Sequence, residues 1–259
     1  MYNVLFLDID GTILKPDQTY SETTKKAIAA VKAQGVDVFL ATGRPLHEIH
    51  DLAEALDIHS FIAYNGAFAL HQGNVIVNEP IPQEQIKQFT NTAAKNGQEL
   101  ILYARDTNYM TDPKSPFIKQ FADLFDMKSN ALYTSDAADK ILGATVLNAA
   151  PEDVPMYEID ANFRLSPVHV NGAENSYDIL RKNVNKGYAV EQTLKHLNIS
   201  RDQAIAFGDG MNDKEMLTAV GTGVAMANAH EDLFPYAEQQ TTSVTDDGIA
   251  HGLQQLGLL

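Results

Sequence analysis

Cysteine is absent from all 259 residues, which excludes disulfide frameworks, thiolate zinc sites and cysteine nucleophiles. Positive charge is scarce as well: 19 Lys and Arg stand against 34 Asp and Glu, a formal charge of −15. Such a balance repels nucleic-acid phosphates and anionic lipid at long range, and so argues against nucleic-acid or membrane partners. A small anionic substrate stays open, because it needs only a few local cations. No run approaches the roughly 18 uninterrupted apolar residues of a membrane span. The opening Met1-Tyr2-Asn3-Val4-Leu5-Phe6-Leu7-Asp8 has neither the basic stretch nor the long apolar run of a signal peptide. The expectation is a cytoplasmic protein. No internal repeat or low-complexity tract appears, and nothing fixes an oligomeric state.

What is present is ordinary globular material, 44% hydrophobic and 20% charged, long enough for one large domain or two moderate ones. Asn3 to Leu7 reads as a buried strand that ends at an acidic turn. Ser21 offers an N-cap, and Ala27, Ile28, Ala30 and Val31 give a helical stripe that stops at Gly35. Val36 to Ala41 is a second apolar run, Leu46, Ile49, Leu52 and Leu56 recur at helical spacing, and Phe61 to Tyr64 is a third run. This rhythm predicts βαβ units and a parallel sheet. It returns after Gly187, with a helix to Leu197, a strand over Ala204 to Phe207, a helix near Met211 to Val220, a strand over Gly223 to Met226 and a closing helix. The middle, 83–183, reads differently: two helix candidates and then several short strands, entered through Pro80 and Pro82. The fold class expected is α/β: a doubly wound parallel sheet formed by residues 1–82 and 184–259, carrying an inserted α/β cap over 83–183.

Asp8-Ile9-Asp10-Gly11-Thr12 directly follows the first predicted strand, where ligands of open parallel sheets bind. Alternation sends the Asp8 and Asp10 side chains the same way, and Gly11 permits a sharp turn. An EF-hand loop is excluded, since Ile13 stands where its glycine belongs and Thr19 where its glutamate belongs. Phe207-Gly208-Asp209-Gly210-Met211-Asn212-Asp213 follows another strand at the same predicted edge. Four carboxylates gathered there demand a cation, and hard oxygen donors without His or Cys favour magnesium over zinc. Thr42-Gly43-Arg44 offers a hydroxyl and backbone N–H groups to a phosphate; a plain N-cap is the competing reading. Lys186 opens a predicted helix, and its position fits a solvated lysine and a phosphate-facing one equally. Arg44 stands between touching substrate and pairing with an acidic neighbour.

Taken in order, these segments resemble the haloacid dehalogenase superfamily of phosphotransferases: Asp8 to Thr12 its first motif, Thr42 its second, Lys186 its third and Gly208 to Asp213 its fourth. The place of the insertion, with Ala63-Tyr64-Asn65-Gly66-Ala67 and Val224-Ala225-Met226-Ala227-Asn228-Ala229, resembles the Cof-type branch with a subclass IIB cap. The resemblance implies a Mg²⁺-dependent phosphatase acting on small phosphorylated metabolites, phosphosugars foremost. It implies Asp8 as nucleophile, forming an aspartyl phosphate, and Asp10 as general acid and base. The implied metal set is Asp8, the Asp10 backbone carbonyl and Asp209, supported by Asn212 and Asp213. Thr42 and Lys186 hold phosphoryl oxygens, and the implied substrate contacts are Thr42, Gly43, Arg44, Asn65, Lys186 and Asn212. Rival readings are a phosphomutase or phosphotransferase on the same scaffold, and a non-catalytic metabolite-binding regulator. In the cap, Arg105, Tyr109, Arg164 and His169 are loose specificity candidates.

Overall fold

The computed structural model describes residues 2–168 and 170–259. His169 therefore lies outside the described residues. The chain forms two compact units: Met1–Arg44, Ile49–Val77 and Asn185–Leu259 make the first, and Pro45–Glu48 with Asn78–Val184 make the second.

In chain order the elements are β1 (Val4–Leu7), α1 (Glu22–Ala33), β2 (Asp37–Ala41), α2 (His50–Ala55), β3 (Ser60–Ala63), β4 (Phe68–His71) and β5 (Asn74–Asn78). The second unit adds α3 (Gln83–Asn96), β6 (Glu99–Tyr103), β7 (Asn108–Met110), α4 (Pro116–Leu124), β8 (Asn130–Leu132), β9 (Gly143–Leu147), β10 (Phe163–Pro167) and β11 (Tyr177–Arg181). The first unit then resumes with α5 (Lys186–Leu197), β12 (Ala204–Gly208), α6 (Lys214–Ala219), β13 (Thr222–Ala225), β14 (Gln239–Gln240) and α7 (Gly248–Gln255).

The first unit's sheet runs β14-β13-β12-β1-β2-β3-β4-β5, parallel from β14 to β3. Every residue of β1 is buried, as an uninterrupted apolar run covered on both faces should be. The doubly wound parallel sheet with an α/β insertion is thus the fold observed. Ser21 caps α1 as expected, its Oγ accepting the Thr24 N–H at 3.0 Å.

The second unit's sheet runs β10-β11-β9-β6-β7-β8. Leu100, Leu102, Ala144, Val146, Phe163 and Ile179 project from one face and pack against Ile86, Phe89 and Ala93 of α3. Ile101, Met110 and Leu147 lie on the other face, under Ile118 and Phe121 of α4.

Two expected helices are broken. The Leu46-to-Leu56 pattern splits into a 3₁₀ turn over Leu46–Glu48 and α2, because Ile49 between them has φ −105° and ψ 3°. The Met211-to-Val220 helix begins as a 3₁₀ turn over Met211–Asp213. There the Asp213 carboxylate takes the N–H groups of Asp209 and Gly210.

Candidate active site

β1 lies between β12 and β2, with Leu7 opposite both Phe207 and Leu40. Chain order reverses at this strand, which opens the crevice where parallel sheets take ligands. Asp8 is the first residue past β1, buried, with its N–H donated to the Phe207 carbonyl at 3.0 Å. Lys186 reaches it from the first turn of α5, whose N-cap Asn185 accepts the Tyr188 N–H at 2.8 Å. The Lys186 ammonium is fully buried and donates to Asp8 Oδ1 and Asp213 Oδ1, each at 2.6 Å. The even choice left by the sequence is resolved: this lysine is not solvated. Asp213 Oδ2 accepts the N–H groups of Asp209 and Gly210 at 3.0 Å, so both oxygens of Asp213 are engaged within the floor of the site. Gly11 has φ +83°, and a Cβ there would overlap the Asp209 carboxylate. The first motif therefore needs glycine for conformation and for clearance.

One oxygen each from Asp8, Asp209 and Asp213 can be chosen within 4.8 Å of one another. Burial, then the charge of Asp213, pushes the Asp8 carboxyl well above its ordinary range, with Lys186 opposing. Burial and Asp213 likewise push Asp209 up to about 7. Burial alone would lower Lys186, but the Asp213 and Asp8 carboxylates outweigh it and hold the ammonium above its usual value. One cation thus answers three carboxylates, and the raised pKa values of Asp8 and Asp209 mark where further positive charge belongs. The donor set fits a hard divalent cation, each of the three carboxylates offering one oxygen.

A second group of residues lies beside the first. Thr42 is buried, its N–H donated to the Ile62 carbonyl at 2.8 Å and its Oγ1 accepting the Arg44 N–H at 3.0 Å. Asn65 donates its N–H to the Thr42 carbonyl at 3.1 Å, from a turn in which Tyr64 and Asn65 are both left-handed. The Asn212 amide donates to Asn65 Oδ1 at 3.1 Å, so Asn212 engages Asn65, and a Cβ on Gly43 would press against the Asn65 amide. Asp10 lies at the rim in an ion pair with Arg44.

Sequence reasoning passed over Thr12 and Asn228. Thr12 Oγ1 donates to Asp209 Oδ1 at 3.3 Å. The Asn228 amide donates to the Gly11 carbonyl at 2.8 Å and to Asp209 Oδ2 at 3.3 Å. Both stand inside motif segments already singled out, which is the signal that could have named them. In the second unit, Tyr109 and Arg164 fall on opposite faces of the sheet. Tyr109 pairs with Leu102 and joins the core beneath α3. Arg164 alternates with the core residues Phe163 and Leu165, and its buried Nε has no hydrogen-bond partner among the described residues. Arg105 is exposed just past β6, its carbonyl 3.4 Å from His47 Nδ1.

The model of the haloacid dehalogenase-like hydrolases matches residues 5–253. The chain belongs to that family. Among known sequences it is 33% identical over 258 residues to YkrA of Bacillus subtilis (strain 168), a candidate phosphatase by its name, covering 99% of this chain and 98% of that one. A solved structure of a hypothetical protein from Geobacillus kaustophilus HTA426 superposes with a TM-score of 0.90 at 31% identity, covering all of both chains. The subclass IIB sugar phosphatase BT4131 superposes with a TM-score of 0.85 at 26% identity, over 99% of this chain and 100% of that one. The protein is an enzyme of the Cof-type, subclass IIB phosphatase branch, the branch its motifs resemble. Hydrolases of this family generally use a divalent metal, and the acidic group at Asp8 is able to bind one. Among the described residues, no helix is long and apolar enough to cross a membrane.

Proposed function

We propose that this hydrolase is a Mg²⁺-dependent, cytoplasmic phosphatase of small phosphorylated metabolites, phosphosugars foremost, working through a phosphoaspartate on Asp8. The observation that carries this reading is the placement of Asp8 at the crevice: one oxygen is held by Lys186, the carboxyl is flanked by Asp209, and a surplus of acid calls for a cation. Two relatives agree in chemistry, one a sugar phosphatase and another a 5-amino-6-(5-phospho-D-ribitylamino)uracil phosphatase.

In this reading Asp8 attacks phosphorus through its second oxygen while Lys186 holds the first. A divalent metal would be held by Asp8, Asp209 and the Asp10 carbonyl, and would supply positive charge to offset that of the substrate phosphate. Asn212 and Asp213 support that set, Asp213 through Lys186 and the Asp209 N–H. Thr42, Gly43 and Lys186 offer hydrogen-bond donors to the phosphoryl oxygens, and Arg44, Asn65 and Asn212 complete the implied substrate contacts. Asp10 protonates the leaving oxygen and later takes a proton from water. Residues 83–183 act as the cap that selects the substrate, and residues 1–82 with 184–259 as the catalytic core.

The experiment is a panel of phosphorylated metabolites, assayed with Mg²⁺ and with EDTA, together with intact-mass analysis of Asp10→Asn after an acid quench. Phosphosugars should be hydrolysed only with metal, and Asp10→Asn should carry one hydroxylamine-sensitive phosphoryl group on Asp8. Full turnover in EDTA, or an adduct on another residue, would refute the assignment.

A further inference from the structure

Asp10 is the most exposed acid of the first motif, its side chain 49% accessible, yet both of its oxygens are held. Arg44 Nε donates to Asp10 Oδ2 at 2.8 Å, and Arg44 Nη2 donates to Asp10 Oδ1. The same Nη2 donates to Gln18 Oε1 at 2.5 Å. The guanidinium is thus a fork on the carboxylate, with a further acceptor behind it. An exposed pair contributes little to stability, so stability does not explain why three side chains converge here. Gln18 sharpens the point. It stands in the left-handed region at φ 62°, in a turn closed by its N–H to the Lys15 carbonyl at 2.9 Å. Glycine or asparagine occupies such a position at lower cost. Neither has the side-chain length of the glutamine that meets Arg44.

We propose that Arg44, braced by Gln18, is a positioning residue that aims the Asp10 carboxylate for proton transfer, in place of the substrate contact implied by the resemblance. The inference rests on the reading of Asp10 as acid and base. In the second step the proton of the attacking water passes to Asp10, the water oxygen bonds to phosphorus, and the P–O bond to Asp8 breaks with its electron pair returning to that carboxylate. A carboxylate oxygen that accepts one N–H keeps a second lone pair for this proton, so the fork fixes direction without blocking the reaction. Arg44 gives up no proton.

The test follows an aryl phosphate, whose leaving group needs little protonation, in the full-length enzyme with Mg²⁺. Arg44→Lys keeps the charge and loses the fork. It should lower kcat by about tenfold to a hundredfold, within the range of general acid–base help, with little change in KM. Phosphorylated Asp8 should accumulate in the steady state. In an Asp10→Asn background the same substitution should change nothing further. Gln18→Gly should act in the same direction more weakly while leaving the thermal midpoint equal or higher, since it relieves the left-handed glutamine. An increase in KM at unchanged kcat, or a loss in the double variant equal to that in the parent, overturns the inference while leaving Asp10 its role. An Asp10→Asn enzyme that never accumulates phosphate overturns the role of Asp10, and the inference with it.

Discussion

Asp8 past β1 is buried and Asp178 on β11 half-buried, and loss of water raises the pKa of each. Their surroundings answer that burial in opposite ways. Around Asp8 stand a buried ammonium and two further carboxylates. Around Asp178 runs a line of hydroxyls: Tyr103 donates to Thr145 Oγ1 at 2.9 Å, and Thr145 donates to Asp178 Oδ1 at 2.6 Å. Tyr103 is itself pushed well above its usual value, by burial first and then by Asp178. The hydroxyl chain holds a carboxyl that can remain protonated and needs nothing from outside. The cluster at Asp8 has more acid than its one lysine balances, an excess that a divalent cation would offset. Excess charge, not burial, distinguishes a reactive carboxylate from a structural one.

The largest effects should come from breaking the Asp8 side of this comparison. Asp8→Asn should remove turnover entirely, because a neutral amide forms no acyl phosphate. The fold should survive, since the amide keeps the shape of the side chain and an oxygen for Lys186, whose second partner Asp213 remains. Release of phenol from an aryl phosphate above background by a folded Asp8→Asn enzyme would contradict the nucleophile assignment. Lys186→Met should also be inactive, and it leaves Asp8 and Asp213 buried without their cation. Removing one partner of such a pair costs about 3–5 kcal/mol, measurable as a lowered urea midpoint. A midpoint equal to that of the parent would mean that the ammonium does not neutralise the floor.

How much of this was readable beforehand follows from the range of each interaction. Asp8, Thr42 and Asp209 fall just past apolar runs, so a local pattern placed them at one sheet edge. The partners of Lys186 are 178 and 27 residues away, and burial at that distance leaves no local trace; position alone could not separate a solvated lysine from a buried one. The grip of Arg44 on Asp10 and Gln18 spans 34 and 26 residues and was equally hidden. The β4–β5 hairpin escaped for another reason. Its turn residues Gln72 and Gly73 both have positive φ, but Gln-Gly is not the Asn-Gly or Asp-Gly pair that announces such a turn. β7 and β8 have three residues each and β14 two, too few for a period to show.

The Asp209 prediction sharpens the comparison through pH. Its pKa of about 7 in the folded chain exceeds the roughly 3.9 of an unfolded aspartate. The folded state therefore binds the proton more tightly. The stability this contributes is fully present below about pH 4 and is lost as pH rises toward 7. In EDTA, Asp209→Asn cannot ionise and escapes that loss, so the variant should melt above the parent at pH 8 and close to it at pH 4. Mg²⁺ should raise the parent's midpoint at pH 8 and shrink the gap. A gap that widens toward low pH would give the opposite sign and reject the electrostatic account of the floor.

The smallest effect belongs to the hydroxyl line of the second sheet. Thr145 is fully buried and takes part in both bonds of that line. Thr145→Val keeps the shape of the side chain but leaves the Tyr103 hydroxyl and the Asp178 carboxyl each short of a partner, at a cost of about 1–3 kcal/mol. Asp178→Asn preserves an acceptor for Thr145 and removes the need to hold a proton. The raised pKa of Asp178 means its stabilisation is lost as pH rises through that value, so at pH 8 the asparagine variant should equal or exceed the parent in thermal midpoint. Toward lower pH, as the parent acid takes up its proton, the difference should shrink. Neither substitution should alter the metal requirement of the aryl phosphatase activity, because neither touches the carboxylates of the first sheet. If Asp178→Asn destabilised the chain at pH 8 as strongly as Lys186→Met does, Asp178 would be a charged partner in an ion cluster, and the contrast between the two acids would collapse.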